Sequence, residues 1–171
     1  MINSVSENMS KVVVKKAGKK GKGVYAAKNL RKGEHILVMK GKILTTAELV
    51  KSSNYNNNHC TPIGKDKYMV FGSPEKFINH ACSPNVYDKN GVVYAMKNIK
   101  EGEELAFDYC LNAVDDWKMQ CHCKSKDCRK TVVGNFFELP KETQSRYLPF
   151  VDNWFRKEYK KELDRLKPKF Q

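Results

Sequence analysis

The sequence predicts an α+β fold that is mainly β, and three features carry that expectation. Short apolar runs rich in valine, isoleucine and tyrosine recur with glycine and asparagine between them, the punctuation of many short strands and not of alternating βαβ units. After Tyr109 the character changes to a compact cysteine block, Cys121 to Arg129. Beyond it, Tyr147, Phe150, Val151, Trp154, Phe155, Tyr159, Leu163 and Leu166 recur mostly at steps of three and four, the pattern of an amphipathic helix.

In chain order, Val12-Val13-Val14 is a β-branched run suited to a first strand. The basic, glycine-rich loop Gly18 to Gly23 leads into a second strand, Val24 to Ala27. Lys32-Gly33 sets a turn before His35 to Met39, and Gly41 to Leu44 continues the β character. Thr45 or Thr46 caps a short helix through Ala47 to Val50. Ser52 to Asn58 reads as a loop-type insertion. Lys67 to Phe71 is a short strand broken by Gly72-Ser73-Pro74. Gly91 to Met96 is expected to pair with Glu103 to Tyr109, with Asn98 to Gly102 as the turn. Pro140 opens a helix through Leu148, and Pro149 opens a longer one that ends before Pro168.

Lys and Arg total 32 against 19 acidic residues, a formal net charge of +13. Residues 1–32 hold nine basic side chains and one acid, Glu7. That surplus favours anionic partners, with non-specific nucleic-acid contact through the basic N-terminal region first among them. No apolar run reaches the roughly 18 residues of a membrane helix, so no membrane partner is expected. The first ten residues lack a hydrophobic block after a basic start, which predicts no secretory signal and an intracellular protein.

Three stretches carry chemistry. In Phe77-Ile78-Asn79-His80-Ala81-Cys82-Ser83-Pro84-Asn85, Ser83 before Pro84 is pushed out of helical geometry, so polar side chains gather on an irregular turn. In Cys121-His122-Cys123 to Cys128, three close thiols in an intracellular chain suggest tetrahedral zinc. The fourth ligand is open among His122, Cys110, Cys60 and Cys82. In Glu103 to Tyr109, alternation sends Leu105, Phe107 and Tyr109 to one face and Glu104, Ala106 and Asp108 to the other. Neither a phosphate-binding P-loop nor a dinucleotide fingerprint nor a G-x-S-x-G elbow is present.

Together these stretches resemble the SET-domain protein-lysine methyltransferases with a post-SET zinc motif. Gly21-Lys22-Gly23-Val24-Tyr25-Ala26 resembles the family's G-x-G-V-[FY]-A, and residues 77–85 resemble F-I-N-H-S-C-x-P-N. Residues 103–109 resemble E-E-L-x-[FY]-D-Y, and Cys121 to Arg129 resembles C-x-C-x4-C-R. The resemblance implies a SET fold of several small β-sheets with a pseudoknot, a post-SET zinc segment and C-terminal helices. On it, residues 1–11 are a flexible lead-in, 12–112 the SET domain, 113–134 the zinc-binding segment and 135–171 a helical extension.

The same resemblance implies methyl transfer from S-adenosylmethionine to a lysine of a basic protein, with histones or nucleosomes foremost and a nuclear or chromatin setting. Lys22, Gly23, Val24, Tyr25, Lys76, Phe77, Asn79, His80 and Tyr109 would hold the donor. Tyr109 would be the catalytic tyrosine at the mouth of a lysine channel formed by Phe107, Tyr68, Phe136 and Phe137. Phe107 in place of tyrosine implies di- or trimethylation. A structural Zn2+ would sit on Cys82, Cys121, Cys123 and Cys128. Ala81, Met39, Lys42 and Lys76 depart from the residues the family usually carries at those positions. Competing readings are methylation of a non-histone protein, or a catalytically silent SET-like module that binds nucleosomes or nucleic acid.

Overall fold

The computed structural model describes residues 10–52 and 59–166. The lead-in up to residue 9, most of the insertion read at 52–58 and the chain beyond 166 lie outside the described residues. The described residues form five small sheets. Strand β1 (Val12–Lys16) pairs antiparallel with β2 (Lys22–Ala26), across a 3-10 turn that closes on Gly21 at φ 78°. Strand β4 (Gly41–Leu44) lies beside β6 (Lys67–Phe71), whose other edge takes β5 (Cys60–Gly64). Between β4 and β5, helix α1 (Thr46–Lys51) starts on a capping box: the Thr45 hydroxyl accepts from the Glu48 amide while the Glu48 carboxylate takes the Thr45 amide.

Strand β9 (Val92–Ala95) sits between β3 (His35–Val38) and β8 (Val86–Lys89). This corrects the expected pairing of 91–96 with 103–109. Asn90 and Gly91 both take positive φ, 53° and 74°, and close β8 onto β9 as a tight hairpin. That two-residue turn matches strand twist better than the longer Asn98–Gly102 connection does.

Released from β9, residues 103–107 thread through the fold. The Leu105 amide donates to the Val24 carbonyl at 2.8 Å, and the Ala26 amide donates to the Glu103 carbonyl at 2.9 Å. Strand β10 (Ala106–Phe107) then pairs parallel with β7 (Asn79–His80). Asn85 clamps the threaded segment: its side-chain amide donates to the Glu104 carbonyl and its oxygen accepts from the Ala106 amide.

The C-terminal part begins with the hairpin of β11 (Val114–Gln120) and β12 (Thr131–Asn135). Helices α2 (Lys141–Tyr147), α3 (Asn153–Glu158) and α4 (Lys160–Asp164) follow. The single long helix expected from Pro149 is therefore divided. Asp152 caps α3 by accepting from the Trp154 amide, and Tyr159 leaves helical geometry at φ −106°, ψ 33°. The apolar spacing survives both breaks, because a cap and a kink change the helix axis without moving which side chains face inward.

Two cores result. One gathers Val24, Ile36, Ile78, Val93, Ile99 and Leu105 from the N-terminal sheets; the other gathers Val132, Phe136, Val151, Phe155 and Leu163 under the helices. Asp152 also accepts from the Asn90 amide at 2.6 Å, fastening α3 to the β8–β9 turn. Near it, burial and the Asp152 charge push Asp88 up to about 7 from an ordinary 3.8. The folded chain then holds a proton that the unfolded chain has released, so the contribution of Asp88 itself to stability declines as pH rises from about 4 to about 7. Urea unfolding across that range should show the stability of the parent relative to Asp88→Asn falling as pH rises.

Candidate active site and metal centre

The residues singled out at 77–85 leave a 3-10 turn, Glu75–Phe77, and enter β7, so their side chains alternate. Ile78 is buried in the N-terminal core and lines a cavity of about 530 Å3. Phe77 and Asn79 face the other way, toward β2. The Lys22 and Lys76 ammonium groups lie 5.0 and 5.1 Å from the Phe77 ring centroid. The Asn79 amide donates to the Lys22 carbonyl at 3.0 Å and to Glu104 Oε1 at 2.8 Å, and Lys20 pairs with Glu104 Oε2. A Cβ at Gly23 would come within 2.9 Å of the Glu104 carboxylate and 3.1 Å of Ala17 and Tyr25, so a larger residue would require these side chains to shift.

Tyr109 stands where the two sides meet. Its hydroxyl donates to the Ile78 carbonyl at 2.9 Å, its backbone N–H donates to His80 Nδ1 at 3.2 Å, and its ring meets the His80 ring edge-on. Burial, reinforced by Glu104, pushes the phenol up to about 12, so it stays protonated. His80 is pushed down to about 4 by burial, with Asp108 opposing and Arg129 reinforcing the shift. The neutral ring accepts through Nδ1, which leaves Nε2 as the donor, and Nε2 lies 3.4 Å from Cys82 Sγ.

The Cys82, Cys121, Cys123 and Cys128 sulfurs all lie within 4.8 Å of one another, and none is in a disulfide. A tetrahedral zinc with bonds of about 2.3 Å needs sulfurs about 3.8 Å apart, and Cys82 and Cys121 are 3.8 Å apart. The four thiols therefore fit a metal ion. Of the other three candidate ligands, Cys110 donates to the Val133 carbonyl, Cys60 lines the cavity and His122 is exposed. The Arg129 amide points at Cys82 Sγ from 3.4 Å, a donor suited to a thiolate. Burial works against the Cys123 thiolate, but the Cys82 and Ser125 backbone groups and the Ser125 hydroxyl bring it down to about 6.

Tyr68 and Phe107 line the cavity with Tyr109. Phe136 and Phe137 do not, which corrects their expected place in the channel. Phe136 is fully buried, edge-on to Phe155, and Phe137 stacks on Phe155 and meets Tyr159. Both rings serve the helical core because the turn after β12 points them under α3. The cavity wall they were expected to form comes instead from β11, with Asp115, Trp117 and Met119 half-buried and Asp116 and Lys118 exposed. Their alternation was present in the sequence but masked by the adjoining Asp116 and Lys118. Val24 is a core residue whose carbonyl holds the threaded segment, and the Tyr25 hydroxyl reaches back to the Lys16 carbonyl.

Asp108 was not singled out, yet it joins the parts. Arg129 Nη1 and Nη2 donate to its two oxygens at 2.8 and 2.7 Å, and the Tyr147 hydroxyl adds a third bond at 2.9 Å. Burial opposes the Arg129 charge, but Asp108 more than offsets this and holds the guanidinium above its ordinary value. Removing the guanidinium strands a carboxylate that has no exposure. Arg129→Ala is expected to lower unfolding stability by about 3–5 kcal/mol in urea, with Arg129→Lys recovering only part because one ammonium cannot replace the fork.

A family profile described as SET domain matches residues 21–110. "Histone-lysine N-methyltransferase trithorax" of Drosophila virilis is 31% identical over 126 residues, covering 64% of this chain and 3% of that protein. "Histone-lysine N-methyltransferase ash1" of Drosophila melanogaster is 32% identical over 132 residues, 67% of this chain and 6% of that protein. The chain thus spans only a few per cent of the curated relatives it matches. Among solved structures, "crystal structure of KRYPTONITE in complex with mCHG DNA and SAH" superposes with a TM-score of 0.58 at 24% identity, covering 71% of this chain and 28% of that one. That likeness is one of fold.

Proposed function

The chain belongs to the SET-domain family, and on that premise we propose that it is an S-adenosylmethionine-dependent protein-lysine N-methyltransferase acting on histone or histone-like basic tails. The observation that carries this reading is Tyr109, with its hydroxyl on the Ile78 carbonyl, between the aromatic cavity and the Lys22–Phe77–Asn79 side. Two ammonium groups within about 5 Å of one aromatic ring suit a ligand that carries both a carboxylate and a heteroaromatic ring. When bound there, S-adenosylmethionine supplies a methyl group activated by its sulfonium.

The residues of the chain then have separable tasks. Lys22 and Lys76 attract the carboxylate, and Asn79 locks the Lys22 backbone that edges the site. Tyr68, Phe107 and Tyr109 offer ring surface to the substrate lysine, which favours the neutral amine that it needs in order to attack. Tyr109 donates its one proton to Ile78, so its oxygen lone pairs remain to accept weak C–H contacts from a polarised methyl. Holding the reactants in line supplies most of the acceleration. Phe107 puts no hydroxyl into the cavity, which supports di- or trimethylation. A zinc ion on the four cysteines would be structural, far from any role in methyl activation, and would fix His80 through Cys82.

Mass-resolved methyl transfer to a panel of histones and other basic proteins tests the reaction and its degree together. Tyr109→Phe should lower the rate by about 10²-fold, the scale for one positioned polar group at a reacting centre. Transfer by the variant at the parent rate, or no transfer by the parent to any protein, refutes the mechanism. Metal analysis should find about one zinc per chain. In Cys82→Ser the metal is expected to be lost and donor affinity weakened, because the His80 ring loses the sulfur on its Nε2 side. Retained zinc would move the fourth ligand elsewhere.

A further inference from the structure

The cavity beside Tyr109 has a charge opposite to that of the chain. The chain is formally +13, yet Glu75, Asp115 and Asp116 line this cavity against Lys76 and Lys118, leaving aside Asp108, which Arg129 neutralises, and Asp88, which keeps its proton up to about pH 7. Low-dielectric walls strengthen such a field at close range.

Two of these carboxylates are held in place. The Tyr68 hydroxyl on β6 donates to Asp115 Oδ1 on β11 at 2.9 Å, bridging two sheets that share the cavity. Burial, opposed by Tyr68 and Trp117 and reinforced by Asp116, raises the pKa of Asp115, so a cation beside it would be stabilising. Glu75 is only 3% exposed; its Oε1 accepts from the Lys40 amide, and its Oε2 has no hydrogen-bond partner among the described residues. A buried carboxylate oxygen in that condition is costly, and a cationic guest in the adjoining cavity offsets the cost.

The target lysine does not account for this charge. Its nitrogen must be neutral when it attacks, and carboxylates along the wall favour the opposite state. A cavity of about 530 Å3 also has room for more than one extended side chain. An extended peptide running along β11 would turn every second side chain to the same face.

We propose that Asp115, supported by Asp116 and Glu75, makes the site select substrates with a second cationic side chain two residues from the target lysine. This rests on the methyltransferase reading and extends it from the reaction to the sequence around the reacting residue.

The test separates the two. Binding to the 171-residue chain is measured by fluorescence anisotropy for peptides with norleucine at the target position and either arginine or glutamine two residues away. Methyl transfer to the matching lysine peptides is measured in parallel. The parent is expected to favour the arginine peptides by roughly five- to tenfold, the scale of one or two partly exposed charge pairs. Asp115→Asn keeps an oxygen for Tyr68 while removing the charge, so it should fold and lose most of the preference, and Asp115→Glu should restore it. Equal binding of both peptides by the parent, or an undiminished preference in the Asp115→Asn, Asp116→Asn double variant, overturns the proposal. A preference in binding without transfer to any peptide supports the selectivity and removes the methyltransferase reading.

Discussion

One buried carboxylate ties the three parts of this molecule together. Asp108 belongs to the threaded segment, Arg129 to the cysteine block and Tyr147 to the first C-terminal helix, and the three meet through bonds of 2.7 to 2.9 Å. The Cys110 amide adds a fourth donor at 3.1 Å. A charge removed from water is tolerated only when its lone pairs are met, so the network holds its members in one arrangement or not at all. Tyr109 is the next residue. Its backbone is set on one side by Asp108 and on the other by the bond to His80, and the His80 ring leans on Cys82. The tyrosine hydroxyl is thus oriented by a chain of contacts that passes through the cysteine cluster.

The threaded segment shows why local reading fails where distant strands compete. Residues 103–109 alternate as a hairpin partner would, and residues 91–96 were the nearest candidate in sequence. The Asn90-Gly91 turn had already committed β9 to β8, leaving the later segment to find β2 and β7. Asn85 makes that possible by supplying, from a side chain, the two bonds a neighbouring strand would give. Ala81 fits the same logic. Its backbone amide donates to the Phe107 carbonyl, a bond that any residue except proline can make, so the position does not call for a particular side chain.

Much of the site was legible because its residues are close in sequence and chemically distinctive. Asn79, His80 and Cys82 lie within four positions, and Cys121, Cys123 and Cys128 within eight. The gathering of Cys82 with the later three needed a match to a known pattern, since spacing alone left four candidates for the last ligand. The cavity's far wall was not legible. Asp115, Trp117 and Met119 reach it only because β11 comes to the cavity that β6 also lines, joined to it by the Tyr68–Asp115 bond, and nothing local to 114–120 announces that partner. Phe136 and Phe137 were misplaced for the converse reason: an aromatic pair after a cysteine block suits a channel or a core equally, and the capped helix at Asp152 decided for the core.

Charge makes the same point about scale. The composition points toward anionic partners, and the exposed Lys15, Lys16, Lys19 and Lys22 on the β1–β2 hairpin agree with it. A net charge is a sum over the whole surface, however, and a cavity responds to the few groups that line it. Screening limits exposed charges to about 8–10 Å of influence at physiological salt, while groups behind low-dielectric walls keep theirs. The basic hairpin and the carboxylate-lined cavity can therefore act on different partners at different ranges. Only the fold, by bringing β11 and β6 to one cavity, separates one from the other.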